Sequence, residues 1–467
     1  MSQVRTIKAK GKVFRDPVHR LIRIDPDDSY ILDLIDTPEF QRLRRIRQLG
    51  VSSLTYHGAE HSRFSHSMGV FNFAQRILHA LFVRYAKESA VHEVLERHSK
   101  VIKAAALLHD LGHGPFSHVI ERARSAPFKH EQMTVRLIKD SGSGVNAALK
   151  RAGIDPEAVA NVIDGTYPCQ LAKDIVSSQL DADRMDYLLR DSLMAGVEYG
   201  AYDSEWLLNA MCVGRDPSAD SQDGLENALR LCLDRNRGLL AAEQLILARY
   251  HMSLQVYMHR VTRGYEVMLL MLFKRAGQLA GASTLPSSTP DSVREYLLHG
   301  IGMLREDWLE FDESALIGAM HLWARTHADA VLMGLSRAYL TRTRLLRGFS
   351  IGHLDHSKTI ELTQELVKAD LKRGVDWELD NGEHLPYKGV WHSASKPGGP
   401  EEGSSVSVLL SDGSPDFRAV PAEGDSRVLK ALDADRRMIT RLYMDRSRES
   451  VAMPILNSVG VYEGDSA

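Results

Sequence analysis

Lys103-Ala-Ala-Ala-Leu-Leu-His109-Asp110-Leu-Gly-His113-Gly-Pro-Phe-Ser-His118 decides how the chain is read. Its Ala/Leu-rich first half predicts the end of a buried helix over 92–108, which Gly112, Gly114 and Pro115 then stop. Burying an imidazole beside a carboxylate at such a helix end is costly unless something compensates both groups. A divalent metal ion does so, because imidazole nitrogen and carboxylate oxygen both ligate it and the cation offsets the lost hydration. A capping histidine beside a solvated aspartate is the plainer reading of the dipeptide alone. His113 and His118, within nine residues of the pair, shift the balance toward a metal site.

Working outward, chemically matching residues stand on both sides. Upstream, Gly58-Ala-Glu-His61-Ser-Arg63-Phe-Ser-His66 leads into a helix that His66 opens and that runs to about residue 88, with Arg63 in reach of the same cavity. Downstream, Phe128-Lys-His130-Glu131 starts an amphipathic helix. The stretch Ile175 to Asp191 reads as one apolar helix carrying the acids Asp181, Asp183, Asp186 and Asp191. Asp183, Tyr187 and Asp191 recur one turn apart on one face, while Asp181 and Asp186 point elsewhere, toward backbone or basic side chains. Nearer the N-terminus, Asp36-Thr37-Pro38-Glu39 predicts a helix start, and the helix runs to Gly50. Phe40, Leu43, Ile46 and Leu49 form its apolar stripe. Arg42, Arg44, Arg45 and Arg47 make a basic face, which is either merely solvated or suited to a polyanion. A long helical pattern over 238–277 aligns Arg249, Ser253, Tyr257 and Arg260 as a polar stripe.

The 467 residues hold 58 basic and 61 acidic side chains, so no overall charge points to nucleic acid. Cys169, Cys212 and Cys232 are scattered, without knuckle spacing or a disulfide framework, and fit a reducing compartment. The N-terminus lacks an apolar signal core, and the apolar run Val267 to Phe273 is too short to span a membrane. A soluble, cytoplasmic protein is expected. The organisation reads as a flexible arm over 1–11, a helical domain over 12–374 and a small α+β region over 375–467, a mainly α fold. Further helices are expected at 290–298, 312–335 and 358–373. The C-terminal region holds a turn-rich loop from Ser393, flanked by β-like runs at 405–410 and 437–444.

His66, His109-Asp110 and Asp183 resemble the H…HD…D signature of HD-domain metal phosphohydrolases. The longer motifs Asp36-Thr-Pro-Glu-Phe-Gln-Arg-Leu-Arg, His61-Ser-Arg-Phe-Ser-His-Ser-Met-Gly, His109 to His118, His130-Glu-Gln and Asp181-Ala-Asp-Arg-Met-Asp-Tyr resemble the deoxynucleoside triphosphate triphosphohydrolases. That group includes the bacterial dGTPase-like enzymes and the vertebrate sterile-alpha-motif/HD enzyme. The similarity spans about residues 12–270 and fades toward the C-terminus.

From residue types, two imidazoles and two carboxylates leave a divalent ion open to water and phosphate oxygens, which yields hydroxide near neutral pH. Fe, Mn, Co, Ni and Zn all suit this ligation, with Mg an option alongside the substrate phosphates. Arg63, Arg184 and Arg249 suit a polyphosphate. The resemblance implies His66, His109, Asp110 and Asp183 as ligands and His118 as the acid that protonates the leaving sugar oxygen. It puts His113 and His130 on the phosphates, with Glu131 orienting His130. Attack at the α-phosphorus, giving a deoxynucleoside and inorganic triphosphate, is likewise implied by the resemblance; spacing alone does not separate it from attack at the γ-phosphorus. Gln48 and Asp191 are placed at the sugar 3′-hydroxyl, Tyr187 and Tyr257 around the deoxyribose, and Leu49 at the base. Ser253 stands where the vertebrate enzyme has a phosphate-contacting His, and Met258 where it has a Gln near the base, so base preference stays open.

Asp36, Gln41 and Arg44 match residues that recognise an activating guanine nucleotide between subunits, with Lys12, Val13 and His259 in further parts of that pocket. The resemblance thus implies a dNTP activator and a homo-oligomer, dimer or tetramer. Arg15 replaces a family Asn, and Cys212 takes a basic position. A guanosine-tetraphosphate hydrolase would carry Glu-Asp two residues after the His-Asp pair, and an HD-GYP phosphodiesterase a Gly-Tyr-Pro element; neither is present. A non-catalytic nucleotide sensor is the rival of a different class, and hydrolysis of nucleic-acid ends an outside alternative.

Overall fold

In the computed structural model, residues 11–123, 128–216, 224–326, 329–343, 346–352, 354–384, 408–434 and 437–464 are described. Nearly all of the arm expected at 1–11, and the loop from Ser393, lie outside them. The fold is mainly α, a helical core with a small α+β C-terminal part.

The helix Ala90–Leu108 is the axis of the core. Ser89 caps it by accepting from the His92 amide, and Ala104 through Leu108 are fully buried. Helix Arg63–Arg84 packs along it, and helix Ala182–Ala195 packs on Arg63–Arg84 in turn. Two glycines make the close approaches possible. A Cβ on Gly69 would stand 1.8 Å from Asp186 Oδ1, and one on Gly112 would stand 2.2 Å from the Thr134 amide. Any larger residue at either position would push apart the helices that carry the candidate site.

The described residues also form ten strands: β1 Lys12–Asp16, β2 Arg20–Ile24, β3 Met211–Arg215, β4 Leu229–Asp234, β5 Leu346–Ile351, β6 Trp377–His384, β7 Leu409–Ser411, β8 Val420–Pro421, β9 Arg437–Asp445 and β10 Tyr462–Gly464. β1 and β2 form an antiparallel hairpin. The second sheet has the order β3-β4-β7-β8, with β7 parallel to β4, so part of the C-terminal region is built onto the core. The third has the order β10-β5-β9-β6 and is antiparallel throughout. Phe349, Trp377 and Leu442 of that sheet bury a separate core with Leu362, Leu366 and Leu456. β5 joins it from ahead of residue 375. All three cysteines are buried and free, Cys212 lying directly opposite Cys232 on β3 and β4. Among the described residues, no helix is long and apolar enough to cross a membrane.

Several local expectations are corrected. The helix expected from Asp36 to Gly50 starts under a Thr37 cap but is an α-helix only over Pro38–Arg42, followed by a 3-10 turn over Leu43–Arg45. Ile46 is then extended, because the Arg47 amide donates to Glu313 and the Gln48 amide to the His61 carbonyl. Tertiary hydrogen bonds thus outweigh helical periodicity there. Most of the basic face is not free for a polyanion: Arg42 is buried on two carbonyls, Arg45 pairs with Asp312, and Arg47 with Glu60 and Glu313. The His66 helix starts at Arg63 and stops at Arg84. The single helix expected over 175–191 is two, Gln170–Val176 and Ala182–Ala195, with Asp181 as the second one's N-cap. The long helix at 238–277 breaks at a π-helical turn, Ser253–Tyr257, so the proposed polar stripe is not continuous. The segment expected as one helix over 312–335 is also two, Glu313–Thr326 and Ala330–Leu340.

Candidate functional site

His66 comes from the first turn of its helix, His109 caps the end of the axial helix, Asp110 follows it, and Asp183 sits in the first turn of Ala182–Ala195. Their donor atoms converge. His66 Nε2 lies 3.0 Å from Asp183 Oδ1 and 3.8 Å from Asp110 Oδ2, and His109 Nε2 lies 3.3 Å from Asp110 Oδ1 and 3.7 Å from Asp183 Oδ1. Such separations are compatible with a coordination shell, since bonds of ~2.1 Å at right angles put donors about 3 Å apart. His109 Nε2 is buried and makes no hydrogen bond among the described residues. His66, His109 with its orphaned Nε2, and Asp110 could together hold a divalent cation, with the Asp183 carboxylate beside them, and HD domains bind such ions.

The charges around the cluster fix its orientation. Burial favours a neutral His66 ring, but hydrogen bonds to Asp183 and Asp186 outweigh it and push the imidazole up to about 10. A cation at Nε2 competes with that proton, so metal affinity falls as pH falls. Asp186 accepts from His66 Nδ1 at 2.8 Å, which leaves Nε2 facing the cluster. Burial would raise the Asp186 carboxyl, yet the Arg190 guanidinium and the His19 and His66 hydrogen bonds hold it well below the usual carboxylate range. Asp186 was expected to point away from the site; it is the carboxylate that orients the His66 ring. Asp186→Asn is expected to weaken metal affinity by ~10–100-fold, read by chelator competition, and unchanged affinity would show that His66 is oriented otherwise.

His113 and His130 stack with ring centroids 3.6 Å apart. Burial, Arg63 and His130 hold His113 well below the usual histidine range. Burial also opposes a charge on His130, but Glu121, Asp110 and Glu131 raise it. The two rings of the stacked pair are therefore pushed in opposite directions, His113 toward its neutral form and His130 toward its charged one. His130 Nδ1 is 3.3 Å from Glu121 and 3.5 Å from Glu131, so Glu121, which no sequence motif marked, is the nearer carboxylate. Arg63 donates to Asp110 and, at 2.8 Å, to Ser117 Oγ. Phe116 and Ser117 have φ of 57° and 51°, conformations that cost a non-glycine residue about 1–3 kcal/mol each and persist only where surroundings hold them. His118 begins the helix directly after them, and its side chain lies outside the described residues.

The cluster forms part of the lining of a cavity of about 600 Å³. Gln48, Leu49, Arg63, Arg184, Tyr187, Asp191 and Tyr257 line it, as does Met258. Tyr187 and Tyr257 meet edge to face, with centroids 6.3 Å apart. Asp191 is gripped at both oxygens, by His61 Nε2 at 2.8 Å and the Tyr257 hydroxyl at 2.9 Å. Arg184 is held by the capping Asp181, whose carboxyl burial pushes up to about 6. Arg249 is not itself part of the lining; its guanidinium donates to Gln179 and lies in the field of Tyr187, Arg184, Asp181 and Tyr257 beside the cavity. Arg122, Arg263 and Glu266 also line the cavity, and sequence reasoning had missed all three.

The residues matched to an activator lie elsewhere, none of them in this lining. Lys12 and Val13 are on β1, and Asp36 ends helix Tyr30–Ile35. Gln41 donates to the Ile35 carbonyl and accepts from Arg44, whose guanidinium covers the Phe64 ring at 3.5 Å. His259 caps helix Arg260–Gly281.

Comparison with known proteins matches residues 63–189 to the HD domain. Over 436 residues, 93% of this chain and 92% of the relative, the sequence is 35% identical to protein YwfO of Bacillus subtilis. It is 28% identical over 297 residues to human deoxynucleoside triphosphate triphosphohydrolase SAMHD1, a match covering 57% of this chain and 44% of that protein. The Dictyostelium discoideum SAMHD1 homolog is 31% identical over 58% of this chain and 50% of its own length. These matches span about half of each SAMHD1 relative. A phosphohydrolase from Bacteroides thetaiotaomicron shares the fold, with a TM-score of 0.69 and 24% identity over 93% of this chain and all of that one.

Proposed function

The chain belongs to the HD-domain family, and from that premise we propose that it is a metal-dependent dNTP triphosphohydrolase, releasing a deoxynucleoside and inorganic triphosphate. The observation that carries the reading is one cavity lined both by His66, His109, Asp110 and Asp183 and by the Tyr187–Tyr257–Asp191 group. The name of the SAMHD1 relatives supports the substrate class.

His66, His109, Asp110 and Asp183 would hold one divalent ion, which when bound polarises phosphate oxygens and activates water. Arg63 and Arg184 bind the triphosphate, and His113 and His130 face its oxygens. Asp191, fixed by His61 and Tyr257, accepts from the sugar 3′-hydroxyl together with Gln48. The Tyr187 and Tyr257 rings occupy the space a 2′-hydroxyl would need, so ribonucleotides are excluded by shape. Leu49 packs on the base. His118 gives its proton to the 5′-oxygen as the bond to the α-phosphorus breaks. An activating guanine nucleotide at Asp36, Gln41 and Arg44, between subunits of a homo-oligomer, belongs to the same proposal.

The test is incubation of metal-loaded protein with each dNTP and NTP, with and without a second dNTP, and chromatography of the products. Deoxynucleoside and triphosphate from dNTPs alone are expected. Equal turnover of NTPs, or no turnover of any nucleotide, would overturn the reading.

A further inference from the structure

The turn Phe311-Asp312-Glu313 is far in sequence from every motif of the site, yet both of the cavity's irregular walls are tied to it. Arg42 donates to the His113 carbonyl at 2.7 Å and to the Phe311 carbonyl at 2.5 Å. Arg45 pairs with Asp312. Glu313, 4% exposed at the head of helix Glu313–Thr326, then bridges the two segments directly. Its Oε1 accepts the Arg47 amide at 3.0 Å and the Phe116 amide at 3.3 Å, while Oε2 lies 3.4 Å from Arg47 Nε. Arg47 directly precedes Gln48 and Leu49. Phe116 has a positive φ and stands two residues before His118. One buried carboxylate oxygen therefore fixes the strand-like segment that carries the sugar and base contacts and the strained loop that carries the proton donor.

We propose that Glu313 is a positioning residue of the reaction, holding the Arg47–Leu49 and Phe116–His118 segments in register through a single acceptor oxygen. This rests on the dNTP-hydrolase reading for its kinetic consequence, though not for the clamp itself. Burial pushes the Glu313 carboxyl up to about 7 against the opposing Arg47 and Phe116 amides. A neutral side chain of the same shape can therefore make the same two bonds through its carbonyl oxygen. Gln has that shape and Ala has no acceptor.

The experiment compares Glu313→Gln and Glu313→Ala in the full-length, metal-loaded protein, by kcat and KM on the most active dNTP, metal content, melting temperature and amide exchange. Displacing a catalytic loop by about 1 Å can cost ~10²-fold, so Glu313→Ala is expected to lose ~10–100-fold in kcat at full metal occupancy. Glu313→Gln is expected to stay within about threefold of wild type, because the acceptor geometry is kept. In Glu313→Ala, amides in peptides covering 44–54 and 112–122 should lose protection together, and Gln should restore both. Equal losses in Gln and Ala would overturn the proposal, since charge rather than the shared acceptor would then be at work. So would a wild-type kcat in Ala, or a loss accounted for by missing metal or a lowered melting temperature. If wild type hydrolyses no dNTP, the functional reading fails, and the exchange experiment still decides the clamp: protection unchanged in Glu313→Ala overturns it.

Discussion

Asp183→Ala should release the divalent ion and lose at least ~10³-fold in turnover, about 4 kcal/mol of transition-state stabilisation. Among the described residues, Asp183 and Asp110 place carboxylate oxygens within 4 Å of both His66 Nε2 and His109 Nε2, and Asp110 is also claimed by Arg63. Its removal should leave the fold intact. Asp181 still caps the helix, Asp186 still binds His66 and Arg190, and the Asp183 side chain is itself one-third exposed. Elemental analysis and circular dichroism on the same preparation check both halves of the expectation. Full metal occupancy in the variant would remove Asp183 from the ligand set.

His118→Ala should keep the ion and lose at least ~10²-fold in kcat, the usual scale for a lost general acid. The surroundings of the other two histidines strengthen this assignment. Burial and neighbouring cations disfavour the charged form of His113, which a general acid needs. Glu121, Asp110 and Glu131 surround His130 and favour its charged form, which opposes the release of a proton from it. A rate within about threefold of wild type would move the proton-donating role to one of that pair.

The helical core and the grouping of His66, His109, Asp110 and Asp183 in space were legible because each motif is local: an apolar helix ending in His-Asp, a histidine in a first helical turn, an aspartate one turn before Tyr187. The groups that orient them were not. Asp186 meets His66 across 120 positions and Glu313 meets Phe116 across 197, and no spacing rule reaches so far. Glu121 was hidden for a different reason, since a lone acid in a short helix after a strained loop reads as surface. The breaks were equally non-local. Residues 43–48 keep a helical apolar period, yet they leave the helix because Glu313 and the His61 carbonyl take their amides. The same contacts explain why the four arginines, which suggested a polyanion site, mostly hold the chain to itself.

The most direct test of the proposed reaction is hydrolysis of a dNTP in ¹⁸O-labelled water, with mass spectrometry of both products. Attack at the α-phosphorus, with His118 protonating the 5′-oxygen, predicts a single labelled oxygen in inorganic triphosphate and none in the deoxynucleoside. Label in the deoxynucleoside, or in orthophosphate or pyrophosphate with no triphosphate formed, would contradict it.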